Sequence, residues 1–196
     1  MSIKFENSNT KINLLKAFAG ESQARNRYTF AASQAEKDGL QIIGKIFTFT
    51  ANQEKEHAKL FYKKLAPFCG ENIKIEGGYP IDLYNNTLDL LKCAKNNEYE
   101  EYNDVYKSFS EEAKSEGFDD IADIFMKVSK IEKVHGDRFN KLIENIENGT
   151  LFESSKEERW ICLNCGEIVV SKSAPKICTV CAHPQGYQIR EEWIRL

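Results

Sequence analysis

The chain has 196 residues, a formal net charge of −3 and acidic and basic side chains interspersed throughout, so it offers no electrostatic footprint for nucleic acid or an anionic membrane surface. That length suits one ordinary domain plus a small module. No apolar run reaches the roughly 18 residues of a membrane span, and the opening MSIKFENSNTKIN lacks an apolar leader core; the expectation is a soluble, cytoplasmic protein.

Residues 10–38 read as a first helix, with Ser8 or Thr10 as N-caps and Gly39 as terminator. A second covers 40–66 and stops at Pro67. The stretch FCGENIKIEGGYP, with Gly70, Gly77, Gly78 and Pro80, reads as a long crossover. A third helix is expected over 81–116, up to Gly117, and a fourth over 118–148, ended by Gly149. Long antiparallel pairs with one crossover describe a mainly α fold: a ferritin-like four-helix bundle over 1–149. Residues 150–158 show neither period and read as a linker, and 159–196 as a small β-rich metal module with short runs at Trp160-Ile161, Ile168–Val170 and Gly186–Ile189.

Each helical stripe carries an acid where the core should be apolar. Helix one runs Leu14, Ala17, Glu21, Ala24, Tyr28, Ala31, with Glu21 as its one acid. Helix two runs Ile43, Phe47, Thr50, Glu54, His57, Phe61, and helix four Phe125, Val128, Glu132, His135, Phe139. In helix three, Glu98 and Glu101 interrupt an apolar run. Side chains three apart on a helix sit roughly 5–6 Å apart at Cβ and point the same way, so each Glu-x-x-His is a chelating pair. An unpaired buried carboxylate costs several kcal/mol or takes up a proton, and no lysine lies on these stripes. Metal cations are the simplest compensation, and many carboxylates with two imidazoles suit iron or manganese. Any one of these glutamates taken alone would be an ordinary solvated side chain; four phased stripes make the set. Lys55, Glu56 and Glu100 fall off the stripes and read as surface. Tyr28 and Tyr106 stand two turns from Glu21 and Glu98, near enough in the stripes to hydrogen-bond those carboxylates or simply to fill the core.

The pattern repeats. Glu21 precedes Glu98 by 77 residues, and Glu54 and His57 precede Glu132 and His135 by 78, so the bundle reads as two copies of a helix hairpin. Glu101 then falls where the first copy has Ala24, an extra donor that breaks the symmetry.

Cys162, Cys165, Cys178 and Cys181 form C-x₂-C-x₁₂-C-x₂-C, a tetrathiolate pattern for one ion. So small a module must draw much of its folding free energy from that ion, with Trp160, Tyr187 and Trp193 as its aromatic core. Spacing alone leaves zinc and iron open; the neighbouring di-metal bundle favours iron, because redox-inert zinc would have no task there. Cys69 and Cys93 stand alone and read as small hydrophobes, and His183 as structural.

Over nearly its whole length the chain resembles the rubrerythrins. The resemblance is carried by Glu21 in GESQARNRY, Glu54 and His57 in ANQEKEHA, Glu98 and Glu101 in NEYEEY, Glu132 and His135 in KIEKVHGDRF, and the motifs WICLNCG and CTVCAHPQ. It implies a non-haem di-iron centre held by Glu21, Glu54, His57, Glu98, Glu101, Glu132 and His135, and a rubredoxin-like Fe(SCys)₄ domain on the four cysteines. It implies a peroxidase that reduces hydrogen peroxide to water in oxidative-stress defence. Electrons would come from NAD(P)H through rubredoxin or an NAD(P)H-dependent reductase. It further implies that one iron moves between His57 and Glu101 with redox state. Two departures stand out: Thr179 where proline is common, and Ala182 where glycine is common at a position wanting positive φ. The rival readings are a ferroxidase or iron store on the same bundle, and a zinc-ribbon interaction protein. Finally, Glu132 and His135 lie 14–17 residues before Gly149, roughly 21–25 Å along a helix. A nine-residue linker of at most about 32 Å leaves little slack to double back, so a head-to-tail homodimer is expected, the Cys₄ iron of one chain serving the other's bundle.

Overall fold

The computed structural model describes residues 3–193. Helix α1 spans Asn9–Lys37 and α2 Gln41–Lys64, packed as an antiparallel pair. The α1 start is capped twice: Ser8 Oγ accepts from the Lys11 amide, and the Glu116 carboxylate accepts from the amides of Asn9 and Thr10 at 2.9 and 2.8 Å. After the crossover come α3 (Thr87–Glu100), a π-helical segment (Glu101–Val105), α4 (Tyr106–Ser115) and α5 (Asp119–Glu147), with α3 and α4 both lying against α5.

The third helix departs from expectation twice, at its start and near its middle. It begins at Thr87, six residues later than expected, because Asn86 caps it by accepting from the Asp89 amide while Ile81 and Leu83 lie 82% and 84% exposed on the crossover. It is then interrupted by the π segment, a local widening that inserts one residue and re-aims the side chains on it. That segment starts at Glu101.

The core is layered along the bundle. One apolar cluster gathers Tyr28, Ile43, Phe47, Leu91 and Phe139; the other gathers Leu14, Phe61, Tyr106, Phe125 and Val128. Between them, on α1, α2, α3, the π segment and α5, sit the acids and histidines, all with under a tenth of their surface exposed except Glu101. The aromatic walls are tightly packed, Phe47 against Phe139 at 5.2 Å between centroids and Phe61 against Phe125 at 5.3 Å. Truncating any of these phenylalanines to alanine should cost about 3–5 kcal/mol.

The C-terminal part forms a three-stranded antiparallel sheet in the order β2-β1-β3, with β1 at Glu153–Cys162, β2 at Ile168–Ser173 and β3 at Gln188–Arg190. Most of the stretch expected as a linker is therefore strand: Glu153 already pairs with Ser173, and a register irregularity between Glu153 and Glu158 hides the period from the sequence. The sheet sits on the end of its own bundle. Ile189 and Leu151 join the first apolar cluster, with Leu163 and Trp193 packed against it. Arg190 donates to the carbonyls of Thr150 and Glu153, both at 2.7 Å, reaches Asn145 of α5, and lies over the rings of Trp160 and Trp193. Gly186 meets the α1–α2 turn so closely that a Cβ there would fall 2.0 Å from the Gly39 carbonyl oxygen. Of the expected aromatic core, Trp160 is fully enclosed and donates from its indole to Ser171 O, whereas Trp193 serves the junction and Tyr187 packs edge-on to His183.

Candidate metal centres

The stripes converge into two overlapping groups of four donors: Glu21, Glu54, His57 and Glu132; and Glu54, Glu98, Glu132 and His135, the ligand atoms of each within 4.8 Å of one another. Glu54 and Glu132 belong to both, and each turns one oxygen to either side. His57 Nδ1 lies 3.0 Å from Glu54 Oε2 and 3.0 Å from Glu132 Oε1, while His135 Nδ1 lies 2.9 Å from Glu54 Oε1 and 2.8 Å from Glu132 Oε2. Glu21 completes the first group and Glu98 the second, with Glu21 Oε2 3.8 Å from His57 and Glu98 Oε2 3.5 Å from His135. This is the geometry of two adjacent cation positions bridged by two carboxylates.

Polar accounting supports that reading. Eight buried atoms aimed into this space make no hydrogen bond: Oε2 of Glu21 and Glu98, both oxygens of Glu54 and Glu132, and Nδ1 of both histidines. So dense a set of unpaired buried donors in one core fits a site built to hold cations. Charge points the same way. Burial pulls both imidazoles down, but the facing carboxylates override it and push His57 up to about 10 and His135 up to about 11. Burial raises Glu21 to about 7, while Glu54 is held at about 2 because His135 and His57 outweigh its burial. Burial and the neighbouring acids lift Glu132 and Glu101 well above the carboxylate range. Five carboxyls facing two imidazoles cannot all ionise without added positive charge, which two divalent cations supply.

The two tyrosines bind carboxylates, crosswise. Tyr28 of α1 donates to Glu98 Oε1, and Tyr106 of α4 donates to Glu21 Oε1, tying the two hairpins together through the site. Each therefore holds the acid of the opposite hairpin and leaves that acid's other oxygen free for the centre. Glu101 joins neither four-donor group; the π segment sets it, part-buried, in the wall of a cavity between α1 and the crossover.

Two residues escaped the sequence reading. Gln53 Oε1 lies 3.1 Å from His135 Nε2 and accepts from Arg138 Nη1 at 3.1 Å, and Arg138 also donates to Thr50 Oγ1 at 2.8 Å. Because the guanidinium can only donate, it fixes the amide with its oxygen toward the ring; Nε2 must carry the proton, leaving Nδ1 as the donor atom toward the centre. The available signal was position: Gln53 adjoins Glu54, and Arg138 stands one turn after His135.

In the C-terminal sheet the four sulfurs lie within 4.8 Å of one another, Cys162 to Cys181 at 3.7 Å and Cys165 to Cys178 at 3.5 Å. A tetrahedral ion with bonds of about 2.3 Å sets sulfur–sulfur edges near 3.8 Å, so the thiols fit one ion. The two knuckles are built alike: the amides of Cys162 and Cys178 donate to the carbonyls five residues on, and those of Gly166 and Ala182 donate back to Cys162 and Cys178. Both closing residues take positive φ, 81° at Gly166 and 58° at Ala182, so the strain expected at Ala182 is present. Thr179 donates its hydroxyl to Glu167, tying the second knuckle to the first. His183 points its Nδ1 at the Cys181 carbonyl, a structural contact.

A profile of the rubrerythrin family matches residues 13–143, and one of the rubredoxin-like domain of rubrerythrins matches 160–187. This chain belongs to the rubrerythrin family. The rubrerythrin of Porphyromonas gingivalis is 44% identical over 187 residues, covering 95% of this chain and 92% of that one, and the rubrerythrin of Clostridium perfringens is 45% identical over 179, covering 91% and 92%. Among solved structures, fully reduced, all-ferrous nigerythrin superposes with a TM-score of 0.63 at 26% identity, covering 97% of this chain and 88% of that one. Reduced symerythrin from Cyanophora paradoxa shares the fold, with a TM-score of 0.61 at 19% identity over 75% of this chain and 89% of that one. As a rubrerythrin the chain is an oxidoreductase with a di-iron domain and a rubredoxin-like domain. No helix among the described residues is long and apolar enough to cross a membrane.

Proposed function

We propose that this rubrerythrin is a peroxidase that reduces hydrogen peroxide to water with electrons drawn from NAD(P)H by way of rubredoxin or a dedicated reductase. The observation that carries it is the pair of four-donor groups sharing Glu54 and Glu132. In this reading Glu21, Glu54, His57 and Glu132 hold one iron, and Glu54, Glu98, Glu132 and His135 the other, with Glu101 as the alternative donor and Cys162, Cys165, Cys178 and Cys181 around a third. Iron held by these residues would supply the redox chemistry, one electron at a time at the four cysteines and two together at the Glu/His centre, as peroxide reduction without a released radical requires.

The chain's own residues prepare that chemistry. Tyr28 and Tyr106 donate to Glu98 and Glu21, which holds each carboxylate in place by one oxygen. Gln53 keeps a proton on Nε2 of His135 and so keeps Nδ1 free as a donor. The phenylalanine layers on either side exclude water from the carboxylates. Glu101, set in a cavity wall, can add negative charge to the centre where ferric iron needs it.

Purified anaerobically, the protein should contain iron at both sites, show thiolate-to-iron absorption bleached by dithionite, and consume peroxide with NADH when supplied with a reductase and rubredoxin. Iron-loaded protein that leaves peroxide untouched under these conditions would overturn the proposal.

The module's seat supports pairing between chains. It is anchored where α5 ends at Glu147, 12–15 residues beyond His135 and Glu132, or roughly 18–22 Å of helix. A head-to-tail homodimer would bring each tetrathiolate to the partner's di-iron centre. Mixing Glu54→Ala protein with Cys162→Ser protein should then restore NADH-linked turnover after subunit exchange; demonstrated exchange without recovery would favour transfer within one chain.

A further inference from the structure

The proposed function uses Glu101 but not the space that Glu101 faces. A cavity of about 300 Å³ lies between α1 and the π segment, roofed by crossover residues Gly77–Pro80. It ends at the carboxylate layer, since Glu101 and Tyr106 are among its walls and the Tyr106 hydroxyl is bonded to Glu21. Ala17, Tyr79, Pro80, Val105 and Phe109 give it an apolar stretch, while Lys16, Gln23, Arg27, Glu76, Asn97 and Glu100 supply polar edges.

Its size exceeds what hydrogen peroxide requires. At about 30 Å³ per water the space corresponds to roughly ten waters, whereas hydrogen peroxide has two oxygens. It stands at the lower end of small-ligand pockets, about 300–1,000 Å³. Gly20 lines the space without a side chain, and a Cβ there would meet only Tyr79 Cε1, at 3.9 Å, so a larger residue at this position would project into it. The roof itself is lightly held, Tyr79 lying 42% exposed and reaching α1 through one long hydrogen bond to Lys16 O at 3.4 Å.

We propose that this cavity is a subsite for the apolar part of a small organic hydroperoxide, an aryl or branched alkyl ROOH, seated with its O–O group toward Glu101. The inference rests on the peroxidase reading for its source of electrons. The O–O bond breaks, two electrons come from the same reduced di-iron centre, and two protons from solvent complete one alcohol and one water. Tyr79 and the bare Cα of Gly20 set the size of group admitted.

The test compares cumene hydroperoxide with hydrogen peroxide in the iron-loaded full chain, alongside calorimetric binding of 2-phenyl-2-propanol, its unreactive alcohol, to the oxidised protein. Gly20→Leu should fill the space from a helical position that favours leucine over glycine. The expected result is that wild type reduces both peroxides and binds the alcohol. In Gly20→Leu the ratio of kcat/KM for cumene hydroperoxide to that for hydrogen peroxide should fall by about tenfold or more, the scale of discrimination a blocked apolar pocket gives, and alcohol binding should disappear. Reduction of hydrogen peroxide alone by wild type would overturn the subsite and leave the peroxidase standing; reduction of neither would remove both. An unchanged ratio in Gly20→Leu, or alcohol binding that survives it, would place any organic substrate elsewhere.

Discussion

The two hairpins that enclose the metal centre are copies in sequence but not in how they hold their histidines. His135 is fully buried, and its outer nitrogen is tied to Gln53, which is tied in turn to Arg138 and so to Thr50. Shifted by the 78-residue repeat, Gln53 corresponds to Ile131 and Arg138 to Leu60, so the first copy has apolar residues at the positions equivalent to the polar pair that ties His135. Ile131 and Leu60 are also surface residues, 38% and 37% exposed, and His57 retains 8% exposure. The second asymmetry lies on the same site: the first copy has Ala24 where the second has Glu101, presented by a π segment. On the proposed reading, the tied His135 would hold one cation position fixed, while Glu101, a carboxylate with no counterpart in the first copy, would let the other adjust.

The largest effect is expected where the halves meet. Glu54 belongs to both donor groups, so Glu54→Ala should cost both irons of the bundle and all peroxide turnover while leaving the tetrathiolate absorption intact. Iron analysis together with the visible spectrum checks this; retention of one tightly bound bundle iron would show that the carboxylate is not shared. Next comes the pinning itself. Gln53→Leu removes the anchor of His135 and should weaken metal binding by roughly 10–100-fold, the usual cost of an outer hydrogen-bond partner. The change Ile131→Val at the equivalent position of the other half should stay within about 0.5 kcal/mol in stability and leave affinity unaltered. Equal losses from the two variants would remove the distinction between the halves.

Much of this was legible in the sequence, for definite reasons. The stripes through Glu21, Glu54, His57, Glu132 and His135 lie on straight helices, where a 3.6-residue period places side chains reliably. Helix three was misread because two local events defeat a period: Asn86 capping overrides the apolar Ile81 and Leu83, and the π segment shifts everything after Glu100. For each tyrosine the sequence left a carboxylate hydrogen bond and a plain core position open, and which tyrosine meets which acid is a tertiary fact: the pairs are crossed, Tyr28 with Glu98 and Tyr106 with Glu21. Gln53 and Arg138 are polar residues beside the stripe, and only the fold turns them inward.

The two knuckles extend the comparison on a smaller scale. Gly166 adopts its positive φ freely, whereas Ala182 does so at a cost of about 1–2 kcal/mol. Ala182→Gly should therefore raise the melting temperature of the module, and Gly166→Ala should lower it, as followed by loss of the tetrathiolate absorption on heating. The smallest effect is at the α1 cap. Against the pull of burial, hydrogen bonds from Thr10 and from the amides of Asn9 and Thr10 hold the Glu116 carboxyl below its usual value. A depressed carboxyl stabilises the fold above its unfolded pKa near 4.5 and loses that contribution as pH falls through its folded value. Glu116→Gln should thus cost about 1 kcal/mol at neutral pH, with the difference from wild type vanishing in acid; a constant difference across pH would mean that charge at the cap is irrelevant.

The central proposal, that Glu101 serves as an alternative donor and so makes one metal position adjustable, is tested most directly by stopped-flow oxidation of the fully reduced protein by hydrogen peroxide, wild type against Glu101→Ala. With the other six donors in place, the variant should bind ferrous iron as wild type does but oxidise at least about tenfold more slowly, an increase of roughly 1.4 kcal/mol in barrier. Equal iron content with an unchanged oxidation rate would contradict it.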